Sequence, residues 1–138
     1  MPMESWSLIV PSPLDILHAR VRPIVASLVE TVVSAELGVD DLDGVAHLDA
    51  TTEVMARKLR QMPPHLGNAM AVMTLLFDSA GLASGARFCS KDLPARRAQL
   101  ATWKGTPVSV LSDFVAFYEK MGSFTWYCHV EEAEGGHA

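Results

Sequence analysis

Cys89 stands between Arg87 and Lys91. Cationic neighbours stabilise a thiolate, the nucleophilic form of cysteine, so this segment is where the sequence comes nearest to covalent chemistry. A basic neighbour alone does not make a nucleophile, and the favoured reading is a structural thiol. The second cysteine, Cys128, makes no disulfide framework with it. Both are expected as reduced, buried thiols. The histidines His18, His47, His65, His129 and His137 form no H-x-x-x-H pair and no zinc spacing with the cysteines. Cys128 and His129 are adjacent, and neighbours on a helix diverge by about 100°. The acidic stretch Asp41-Leu42-Asp43-Gly44 resembles part of a calcium loop. Its first and twelfth ligand positions, however, fall on Val39 and Ala50, where oxygen ligands are required. No G-x-S-x-G elbow occurs. The expectation is a chain without catalytic residues, metal or cofactor of its own.

The elements that carry these residues are helical by pattern. With 138 residues, the chain can build one domain with a real core. Its hydrophobic content of 49% and charged content of 20% suggest more apolar surface than a lone small domain hides, hence a partner. A net charge of −5 argues against capture of nucleic acid or an anionic membrane, and the basic run Arg57-Lys58-Leu59-Arg60 reads as a solvated helix face. No basic, apolar leader opens the chain, and Glu30 and Glu36 interrupt the apolar stretch 24–37. The expected setting is therefore cytoplasmic, with no membrane span, although export with a partner stays open.

Spacing predicts an all-α protein, an irregular bundle of about five helices over residues 13–130. An extended arm (1–12) precedes it and a disordered acidic tail (131–138) follows. Ser12-Pro13-Leu14-Asp15 is a capped start. Leu17, Val21, Ile24, Leu28 and Val32 follow at helical spacing, with Val25, Val29 and Val33 as a second stripe. Pro23 predicts a kink or break near Val21–Arg22, and Gly38 ends the element. A second helix is expected over 50–61, capped by Asp49 or Thr51. Met62-Pro63-Pro64 separates it from a third that carries Leu66, Met70, Met73 and Phe77 and ends near Gly81. Gly67 either permits close packing or weakens that helix. Asp92-Leu93-Pro94 opens a fourth helix that stops at Gly105, and Thr106-Pro107 opens the fifth.

The last helix is apolar on several sides, as expected of an element central to the core or shared with a neighbour. Interface candidates are Trp6, Phe88, Trp103, Phe117, Phe124, Trp126 and Tyr127, large side chains suited to anchoring a partner. A rival reading is a small apolar-ligand-binding protein, with a pocket lined by Met70, Met73, Phe77, Phe114 and Tyr118.

Residues 50–128 also carry a resemblance. Met62-Pro63-Pro64 through Leu75-Leu76-Phe77, Gly85-x-Arg87-Phe88, Leu93-Pro94, Arg97, Leu100, Trp103 and Phe117-Tyr118 are similar to helical segments that accompany GMC-type flavin oxidoreductases. Such segments occur as N-terminal extensions of long-chain alcohol oxidases and as the small subunit of gluconate-2-dehydrogenase-like (subunit 3) enzymes. The resemblance implies a non-catalytic accessory subunit that stabilises a flavin-dependent alcohol or sugar oxidoreductase. The FAD would belong to the partner. The chain departs from that pattern in lacking the export signal of many small subunits, and its two ends have no counterpart.

Overall fold

The computed structural model describes residues 12–135. The fold is all-α. Five helices, α1 (Pro13–Leu37), α2 (Leu48–Gln61), α3 (Pro64–Ala80), α4 (Leu93–Lys104) and α5 (Ser109–Gly135), pack with two short 3-10 turns, Gly81–Ser84 and Phe88–Ser90. No strand occurs among the described residues. Residues 1–11 of the arm, Trp6 among them, lie outside them.

α1 is the hub and touches the other four helices. Ser12 Oγ accepts the Asp15 N–H at 3.2 Å, and Pro13 lies in the first turn. Both apolar stripes are buried: Val21, Ile24, Val25, Leu28, Val29, Val32 and Val33 all lie in the core. Polar residues survive among them because each closes its bond locally. Ser27 Oγ donates to Pro23 O, Thr31 Oγ1 to Ser27 O and Ser34 Oγ to Thr31 O, at 3.2, 2.7 and 2.8 Å. Pro23 does not break α1, which runs through it without interruption. Pro23 is exposed, so the carbonyl its ring leaves unpaired can face water, and the buried valines on either side hold the axis. Gly38, at φ 67°, ends the helix by directing its N–H to Ala35 O and the Val39 N–H to Ser34 O.

α2 begins earlier than spacing suggested. Neither Asp49 nor Thr51 caps it. His47 takes the capping position with a left-handed backbone, φ 68°, and Thr51 returns both its N–H and its hydroxyl to His47 O. At the other end Pro63 forces the extended turn, and Pro63 O then receives the N–H groups of Leu66 and Gly67, both at 2.9 Å. Gly67 is a close-approach glycine: a Cβ there would lie 2.5 Å from Leu59 O of α2. α5 starts at Ser109, two residues later than Thr106-Pro107 implied, with Val108 O accepting from Leu111 and Ser112. It also continues through Glu131 to Gly135, because Val130 still packs against the core and the glutamates stand in solvent. The expected tail is therefore helical over its first five residues.

Thr74 pairs with Tyr118 and Phe77 with Phe114, in opposite chain order, so α3 and α5 run antiparallel. Their seam is aromatic. Phe77 lies 4.7 Å from Phe88, 4.8 Å from Trp103 and 5.4 Å from Phe114, and Phe114 lies 5.1 Å from Tyr118. Each such pair adds about 0.5–1.5 kcal/mol beyond burial. The ligand pocket read from the sequence is thus not there: Phe77, Phe114 and Tyr118 fill one another's space, with Met70 and Met73 packed against them at the margin. Tyr118 Oη meets Thr74 Oγ1 at 2.8 Å, and burial pushes its phenol well above the ordinary range, so it stays neutral.

Two stability changes follow. Gly67→Ala should lower unfolding free energy in urea by about 1–3 kcal/mol, because overpacking against Leu59 outweighs the gain of roughly 1 kcal/mol in helix propensity. Tyr118→Phe should cost only about 0.5–1.5 kcal/mol, since Thr74 keeps its bond to Met70 O at 2.8 Å.

Candidate functional surface

Any site depends first on how the connector between α3 and α4 is held. Asp78, on the last turn of α3, is completely buried. Its Oδ2 accepts from Arg87 Nε at 2.7 Å and its Oδ1 from the Cys89 backbone N–H at 3.0 Å. Burial raises its pKa, but the Cys89 N–H, Arg87 and the Cys89 thiol outweigh that, leaving the carboxyl below the usual range. α4 adds three clamps. Arg96 Nη2 donates to Cys89 O at 3.0 Å while its guanidinium covers the Phe88 ring. Gln99 Nε2 donates to Phe77 O at 2.7 Å. Arg97 binds Asp40 at 3.2 Å and the Val39 carbonyl, tying the α1–α2 loop to α4. The partners of Arg96, Arg97 and Gln99 lie 7 to 66 residues away in sequence, and no local pattern signals them.

The same clamp settles Cys89. Burial pushes its thiol up, the Asp78 carboxylate pushes it further, and the opposing influence of Arg87 is smaller. Arg87 is turned to Asp78, and Lys91 Nζ bonds Ser84 Oγ and Gln99 Oε1. The flanking cations therefore do not activate the thiol. Cys89 and Cys128 are unbridged and half-buried rather than fully buried. His129 Nδ1 lies 2.9 Å from Thr125 O, and its ring stacks on His47 at 6.2 Å. Among the described residues no group of three or more His, Cys, Asp and Glu is placed to hold a metal. A groove of about 600 Å³ between α1, α4 and α5 is lined by Val32, Leu100, Arg97, Lys104 and Glu119, among others. Its Lys104 and Glu119 are paired at 3.1 Å, and its Arg97 is held by Asp40.

The aromatic interface candidates separate. Phe88 is wholly buried and offers nothing to a partner. Trp126 is 8% exposed and spends its Nε1–H on Ala46 O at 2.8 Å. Trp103 and Phe117 are half-buried against the core. Phe124 and Tyr127 are exposed on α5, the latter with its hydroxyl 3.2 Å from Glu36.

A further group of exposed apolar side chains lies on α3, none of them among the interface candidates. Val72 and Leu76 are 46% and 56% exposed on its outer face with Ala69 between turns, Leu66 opens onto solvent at one end, and Leu82 at the other. Between Gln61 and Ala86 the sole charged residue is Asp78, which points inward. The outer side of α3 therefore carries no Asp, Glu, Lys or Arg, and its exposed polar residues are His65 near its start and Ser79 in its last turn. That charge-free run was visible in the sequence and was the available signal. Pro64–Ser84 is long and apolar enough, by length and composition, to cross a membrane. In this fold its inner side is core, with a salt-bridged carboxylate in its path.

Comparison of the chain with family models, curated proteins and solved structures finds no match to any of the three. What the fold and surface define is a class: a small all-α module with an uncovered apolar helix face.

Asp78→Asn should lower stability at neutral pH by roughly 1.5–3 kcal/mol. Because the folded pKa is depressed, the carboxylate's contribution is fully present above its unfolded value near 3.9 and is lost as pH falls through the folded value. The gap between parent and variant in urea titrations should therefore narrow below about pH 4.

Proposed function

We propose that this chain is a non-catalytic helical accessory subunit that docks onto a larger flavin-dependent oxidoreductase of the GMC type. The flavin and the alcohol or sugar chemistry belong to that partner. The observation that carries the reading is the group of exposed apolar side chains on α3 and the turn after it, Leu66, Val72 and Leu76 on the helix and Leu82 in the 3-10 turn, with no Asp, Glu, Lys or Arg among them. Scattered exposed leucines are ordinary, but a continuous uncharged helix face is the anatomy of an interface core. The residues that resemble GMC-associated segments run from α2 into α5 and include this face. Phe124 and Tyr127 supply a second exposed apolar spot on α5. The apolar-ligand reading is weaker, because its pocket residues interlock.

The test is co-expression of the full chain with a GMC-type flavoprotein from the same source, followed by size exclusion with flavin absorbance as the readout. Co-elution is expected. Val72→Asp with Leu76→Asp, both at exposed positions, should weaken the complex at least tenfold while leaving the helical circular dichroism intact. A flavoprotein that elutes alone beside a well-folded chain counts against the proposal.

A further inference from the structure

We draw no further inference here: the strongest candidate, the groove of about 600 Å³ between α1, α4 and α5, has its Arg97, Lys104 and Glu36 already bound to Asp40, Glu119 and Tyr127, its one further charged residue, Lys120, is an exposed surface lysine, and nothing in the structure shows what would fill it.

Discussion

A carboxylate sealed inside an apolar core must be matched by charge and hydrogen bonds, or the fold relaxes to hydrate it. Asp78 meets that demand with partners drawn entirely from the connector that follows α3. Satisfying one buried charge therefore fixes the path of residues 81–90. Phe88 is carried into the aromatic seam by the same turn that presents the Cys89 N–H. Once Phe88 is seated, Arg96 can cover it and Gln99 can reach the last carbonyls of α3, which positions α4. The surface outside α3 is flat and charge-free in part because the helix's one charge has been turned inward.

The inner and outer sides of α3 thus divide two tasks. The inner side contributes Ala71, Thr74, Phe77 and Asp78, all buried and matched to neighbours. Gly67 lets its first turn press against α2. The outer side makes no such contacts, and its leucines and valine are available at no cost to the core. Held at both ends by Pro63 and by the Asp78 clamp, α3 presents an exposed face whose backbone is already ordered.

Much of the architecture could be read directly from residue order. Ser12-Pro13, Gly38, Pro63-Pro64 and Asp92-Pro94 mark helix ends through local stereochemistry, and each end lies at or within a residue or two of its expected place. Helix periodicity likewise identified the buried stripes of α1. Legibility failed where tertiary contact overrules local preference. Pro23 was expected to kink or break α1, and the helix is not broken there, with the valines around it locked in the core. His47 adopts a glycine-like backbone to start α2, and no propensity anticipates that. Candidate interface residues were chosen by size, and size does not separate buried from exposed: Phe88 and Trp126 are core, Trp103 and Phe117 are half-buried, and Phe124 and Tyr127 are exposed.

The proline within α1 has one last consequence. Residues 13–20 all lie at least partly in solvent, whereas from Val21 onward the helix is largely interior. Across that boundary a rung is missing from the backbone ladder, because Pro23 has no N–H to give. The opening turns of α1 are therefore tied to the body of the helix by one backbone bond fewer, with Leu17 their contact to the core.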